Sequence, residues 1–239
     1  MPEFSPHQIG ILIQTHSLGV GVVIAWLGIV LLTAELTYRW TTWGAEVSRK
    51  IVHIGTGNII LLAWWFQIPA ILGIIASIFF SGLTLLSYRY PVLPSVSGIG
   101  RQSWGTFFYA VSIGVLLVWF WPTAPAFPVL GILTMAYGDG LAAIIGQRWG
   151  RHPYQIGGIK KSWEGSLTMA VVTMVIAGLV LGPQGNLSWS ALTVMALILG
   201  VVATGLEIFS RWGIDNLTVP LGTAGLAWGL SQLLVHHTF

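Results

Sequence analysis

Residues 136–165 read AYGDGLAAIIGQRWGRHPYQIGGIKKSWEG. An apolar segment carries a single acid, Asp139, between Gly138 and Gly140. A polar loop then collects Arg148, Arg151, Lys160 and Lys161, contains Gly157-Gly158, and runs through Ser162 and Glu164 into the next apolar segment. An acid inside a membrane-spanning helix costs about 2.5–3.5 kcal/mol on insertion scales, so such acids are as a rule paired and functional. An acid between two glycines, opposite a cluster of cations, suits a metal-bound polyphosphate. The plainer alternative is an interfacial ion pair with a loop cation.

Composition sets the solvent. Charged residues are 7% of the 239 and hydrophobic residues 55%, against about 25% charged in an ordinary soluble domain. So few charges cannot cover a soluble surface of this size, so the surrounding solvent is lipid. A bilayer core takes roughly 20 helical residues per crossing. That leaves room for about eight spans in one integral-membrane domain over residues 1–239. With no cysteine, disulfides, thiolate catalysis and thiolate metal sites are excluded. The opening MPEFSPHQIG has no Lys or Arg and is expected not to act as a signal peptide. No nucleic-acid partner is expected.

Apolar runs fall at 11–37, 51–66, 69–87, 105–121, 126–147, 163–182, 188–209 and 217–235. They are continuous rather than alternating, which excludes a β-barrel reading and predicts an all-α bundle. All 10 cations fall in the odd-numbered loops between these runs: Arg39, Arg49 and Lys50; Arg89 and Arg101; Arg148, Arg151, Lys160 and Lys161; Arg211. By the positive-inside rule those loops face the cytoplasm and both termini the opposite side. Six of the 7 acids, all but Glu3, lie in or beside the same half. A transporter needs polar groups near the midplane and access from both sides. One-sided polar chemistry instead favours an enzyme with one substrate in water and the other in the membrane.

Three constellations carry candidate chemistry. Around Asp139, the strip Gly138, Ala142, Gly146 and Gly150 lets a neighbouring helix approach closely. In the following loop, Gly157 and Gly158 offer backbone N–H groups and Lys160 and Lys161 charge. Ser162 caps the next helix, whose N-terminus attracts anions. GGIKKS is not a Walker motif, and the lysines have topology as a plainer explanation. Glu164, in a first helical turn, is favourable there on dipole grounds alone. The second constellation, in EVSRKIVHIGTGN, places Glu46, Arg49, Lys50 and His53 on one helix face. Arg49 and Lys50 read either as phosphate contacts or as snorkelling cations. His53 lies about one turn inside, as a proton acceptor, a phosphate ligand or a packing residue. The third, EIFSRWGIDNLTVP, offers Glu207 and Asp215 as further metal ligands. In its plainer form Glu207 pairs with Arg211, and Asp215 or Asn216 caps the last helix. RQSWGTFFY at 101–109 reads most simply as interfacial aromatics.

The strings EVSRKIVHIGTG, RQSWGTFFY, YGDGLAAIIGQRWG, KKSWEGSLTM and DNLTVP resemble, in order, those of the polyprenol kinases that act on phytol and dolichol, most closely the phytol branch. The resemblance spans roughly residues 46–220. It implies a multi-pass kinase that uses CTP or another nucleoside triphosphate with Mg²⁺. It also implies an isoprenoid alcohol such as phytol as acceptor, tocopherol or phytol salvage as the setting, and the plasma or thylakoid membrane of a photosynthetic organism. Asp139, with Asp215 or Glu207, would hold Mg²⁺. Lys160, Lys161, Arg49 and Lys50 would meet the phosphates, and His53 or a nearby acid would take the alcohol proton. A similar D-x-x-A-x-x-x-G and K-[ST]-W-E-G pair, here Asp139–Gly146 and Lys161–Gly165, occurs in CDP-diacylglycerol synthase-like cytidylyltransferases. That enzyme and a small-molecule transporter are the alternatives.

Overall fold

The computed structural model describes residues 16–40, 44–89, 104–185 and 187–236, together with Gly10 and Gln14. Arg101 and the side chains of Glu46 and Arg89 lie outside the described residues. The described residues are all-α apart from one short hairpin. In order, the elements begin with α1 (Ser17–Trp40), α2 (Gly44–Gly57), α3 (Ile59–Trp65), α4 (Ala70–Arg89), α5 (Gly105–Phe120) and α6 (Ala126–Leu133). A π-helical turn (Thr134–Asp139) leads into α7 (Gly140–Trp149). Strands β1 (Pro153–Ile156) and β2 (Ile159–Ser162) follow, then α8 (Trp163–Leu181), α9 (Trp189–Ile208) and α10 (Asp215–His236).

Within the described residues, each apolar run is built mainly of helix. Among the described residues, five helices are long and apolar enough to cross a membrane: Ser17–Trp40, Ala70–Ser87, Ala126–Trp149, Trp163–Gln184 and Trp189–Ile208. Their exposed faces carry large apolar side chains, among them Leu18, Ile24, Ile78, Phe79, Leu167 and Leu179, which only lipid accommodates at no cost. Most exposed tryptophans lie at or near helix ends. Trp40, Trp104, Trp149, Trp163 and Trp212 lie near the basic segments, and Trp65, Trp119 and Trp189 lie at the other ends of their helices. Tryptophan concentrates in this way at the two membrane–water interfaces.

The Ala126–Trp149 helix is the most buried of the five. Val129, Leu130, Met135 and Ala136 are wholly inaccessible, with α8 and α10 packed along it. Its small residues make this possible. A Cβ on Gly138 would meet the Met169 sulfur at 2.6 Å, and one on Gly146 would meet Ser162 Oγ at 2.9 Å and Gly165 Cα at 3.5 Å. The strip read from the sequence is therefore the contact face toward the start of α8.

The structure corrects the sequence reading in two places. The stretch 148–162, read as a polar loop, contains an antiparallel hairpin pairing Pro153 with Ser162 and Gln155 with Lys160. Gly157 (φ 55°) and Gly158 (φ 85°) form its two-residue turn, which needs positive φ at both positions and so selects glycine. Glu207 and Arg211, read as a helix pair, have separate partners. α9 ends at Ile208, so the i, i+4 geometry stops before Arg211.

Gly146→Leu forces a branched side chain between α7 and α8. It is expected to cost about 1–3 kcal/mol by overpacking, lowering the melting temperature in detergent. Gly178→Leu, where no atom lies within 4 Å of an added Cβ, should leave that temperature unchanged.

Candidate active site

Two irregular helices face each other at the centre of the site. The first, running from Gly44 to Trp65, is interrupted at Asn58 between α2 and α3. The second carries the π turn Thr134–Asp139. A π turn replaces i→i+4 bonding with i→i+5 and is frequent at functional sites. The two irregularities are tied together: Tyr137 Oη donates to Asn58 Oδ1 at 2.7 Å, and Gly57 lies against Ala136 with no room for a Cβ.

Lys50 and His53, a helical turn apart on α2, reach across to Asp139. Lys50 Nζ donates to Asp139 Oδ2 at 2.5 Å, with the two side chains 5% and 13% exposed. His53 Nε2 lies 3.6 Å from the same oxygen and 3.3 Å from the Met135 carbonyl oxygen. A carbonyl only accepts, so this hydrogen bond puts the proton on Nε2 and leaves the basic lone pair on Nδ1. Arg49 lies close enough to add its charge to the field at Asp139. Both contacts of Asp139 fall on Oδ2.

A second charged pair lies beside the first. Strand alternation turns Lys160 outward and Lys161 inward. Lys161 Nζ donates to the Glu207 carbonyl at 2.5 Å and to the Glu207 carboxylate, with the pair's side chains 14% and 12% exposed. Arg211 donates to the Gly157 carbonyl, so the hairpin is fastened through Lys161 to the last turn of α9 and through its turn to Arg211 just beyond it. Asp139, Glu207 and Asp215 are near enough to feel one another's charge. Among the described residues no three His, Asp or Glu side chains form a ready-made metal cage.

Other candidates are placed differently. Ser162 caps α8, accepting from Gly165 N at 3.2 Å. Glu164 turns away from Asp139, accepting from Arg151 N at 3.0 Å and lying 2.7 Å from His152 Nδ1. It braces the hairpin base. Asp215 N donates to Ser210 Oγ at 2.7 Å, and Asp215 Oδ1 accepts from Asn216 N at 3.0 Å. Asp215 thus stands in the first turn of α10. One residue at the site was missed. Tyr109, read as an interfacial aromatic, is 6% exposed and stacks on His53 with ring centroids 4.6 Å apart. Nothing in the spacing of RQSWGTFFY distinguishes Tyr109 from the aromatics before it.

The site is a buried carboxylate with an ammonium and an imidazole on one oxygen, a second lysine–glutamate pair beside it, and further cations at its edge. Such a set can hold an anionic substrate, neutralise charge and accept a proton. Comparison with known proteins narrows it. The chain is 51% identical over 217 residues to the phytol kinase of Synechocystis sp., covering 90% of this chain and 93% of that one. This chain belongs to the phytol kinase family. As a member it is an enzyme, a phosphotransferase with an alcohol acceptor. More distant members are phytol kinase 1, chloroplastic, of Arabidopsis thaliana (29% identity; 88% and 77% coverage) and probable phytol kinase 2, chloroplastic, of Oryza sativa subsp. japonica (32%; 86% and 73%). No family model matches the chain, and no solved structure does.

In this phytol kinase family member, removing one partner of a buried pair strands the other charge and costs about 3–5 kcal/mol, whereas removing both is far milder. Lys50→Met should therefore destabilise the protein more than the Lys50→Met, Asp139→Asn double variant. A thermodynamic cycle measured by unfolding in detergent checks this, and simple additivity of the two single effects would refute the coupling.

Proposed function

We propose that the protein transfers the γ-phosphoryl group of CTP to the primary hydroxyl of an isoprenoid alcohol, phytol, at the membrane face bearing the basic loops. The carrying observation is the buried Lys50–His53–Asp139 cluster at the π turn, in a chain whose 51%-identical relative is named a phytol kinase. The product feeds phytol salvage toward tocopherol in the plasma or thylakoid membrane of a photosynthetic organism. The basic loops face the cytoplasm, the chain crosses eight times, and both termini lie on the other side.

Phosphoryl transfer asks the protein chiefly for positioning and charge stabilisation. The donor set suits Mg²⁺, which prefers carboxylate oxygens and takes its remaining ligands from phosphates and water. Asp139 would hold it through Oδ1, with Asp215 and Glu207 as the nearby acids. When bound, Mg²⁺ supplies neutralisation of charge on the nucleotide phosphates. Lys50 fixes the Asp139 carboxylate. Arg49, Lys161 and the outward Lys160 meet the phosphates, while Gly157 and Gly158 bring the hairpin turn over them and Ser162 keeps the α8 N-terminus ordered. His53, with Nδ1 unprotonated, accepts the alcohol proton. Glu164 contributes by bracing the hairpin.

The test supplies purified protein with phytol, Mg²⁺ and CTP labelled at the γ-phosphate. Label should appear in a lipid-soluble monophosphate, and Asp139→Asn should abolish its formation while the protein stays inserted. Label released as pyrophosphate would mean attack at the α-phosphate and a cytidylyltransferase instead.

Topology is checked separately. Reporters fused near residues 95 and 155 should report the cytoplasm and a C-terminal reporter the opposite side. A cytoplasmic C-terminus would overturn the eight-span arrangement.

A further inference from the structure

Tyr109 is buried to 6% exposure, and its hydroxyl oxygen has no hydrogen-bond partner. Leaving a buried hydroxyl unsatisfied costs about 1–3 kcal/mol. Such groups are rare enough in folded proteins that each calls for a reason. The surroundings of this one supply it. The ring stacks on His53 at 4.6 Å and 33°, and His53 is the group that approaches Asp139. The hydroxyl lies over Gly57, where an added Cβ would come within 2.8 Å of it. Glycine at 57 thus gives the hydroxyl room to pack at that position. Tyr109 is also four residues into α5, one turn from Trp104, which is 45% exposed. At that depth a long-chain alcohol seated in a membrane carries its polar head.

We propose that the Tyr109 hydroxyl is the acceptor-binding group of the site, making a hydrogen bond to the hydroxyl of the isoprenoid alcohol. The inference rests on the kinase reading above and extends it to the second substrate. The bound alcohol oxygen accepts from Tyr109 Oη–H and donates its own hydrogen toward His53 Nδ1. On attack, the alcohol oxygen forms its bond to the γ-phosphorus, the bond from that phosphorus to the oxygen bridging to the β-phosphate breaks, and the alcohol proton passes to His53. Tyr109 keeps its proton throughout. Its function is to hold the acceptor oxygen beside the base, a placement to which transition-state geometry is sensitive.

Tyr109→Phe tests this because it keeps the ring against His53 and removes only the oxygen. An unsatisfied hydroxyl contributes nothing to the folded state without substrate, so the variant should melt at or above the wild-type temperature in nanodiscs. Its KM for phytol should rise about tenfold, the equivalent of roughly 1.4 kcal/mol, with the KM for CTP unchanged. The rise in melting temperature that phytol alone, without nucleotide, gives the wild type should be lost. A variant with wild-type phytol KM and wild-type phytol stabilisation overturns the inference. A variant whose KM values for phytol and CTP rise together also overturns it, since that marks a general disturbance through His53. The kinase reading is judged on the wild type alone, by which product carries the γ-label. Should that reading fail, phytol stabilisation of wild type against Tyr109→Phe still decides the binding role.

Discussion

A carboxylate cannot sit in the apolar middle of a helix bundle without an answering charge, and the contact between Asp139 and Lys50 is that answer. Asp139 belongs to the most buried of the long helices among the described residues, Lys50 to a helix 89 residues earlier in sequence. Their attraction fixes how the broken helix at Asn58 lies against the π turn at Thr134–Asp139. Breaking a buried pair costs far more than never having built it. The pair therefore specifies one register of these two helices at the expense of stability that apolar residues could have supplied. His53, the Met135 carbonyl, Tyr137 and Asn58 all depend on that register.

The hairpin works by the same logic at the edge of the bundle. Alternation along β2 divides two adjacent lysines between two environments, Lys160 to the outside and Lys161 to Glu207. The Arg211 contact to Gly157 adds a second fastening. The hairpin is thus part of the site's wall, held to the end of α9 and to the start of α8 through Glu164 and His152. The Lys161–Glu207 pair on the inner side of the hairpin holds it in place where lipid-facing helices supply few polar constraints of their own.

Much was determined by the sequence alone. Low charge and long apolar runs forced helices, because only helices satisfy their own backbone in lipid when the pattern does not alternate. The small-residue strip from Gly138 to Gly150 predicted a close helix contact, and Ser162 predicted a cap. A lone acid in an apolar run marked Asp139, and periodicity put Lys50 and His53 on one face. These are all properties of neighbours in the chain. The tertiary structure alone decided which cation answers which acid. Glu207 had Arg211 four residues away, yet Lys161, 46 residues distant, occupies it, because α9 ends before the helical repeat can bring Arg211 round. Glu164 was a candidate beside the phosphates, and its contacts with the Arg151 backbone and His152 hold it at the hairpin base. Tyr109 was invisible because stacking on His53 is a contact between segments 56 residues apart, and no local pattern encodes which of several aromatics turns inward. Helical periodicity is a property of the backbone and is written in adjacent residues. Pairing across a bundle is set by helix rotation and depth, which come from packing the whole chain.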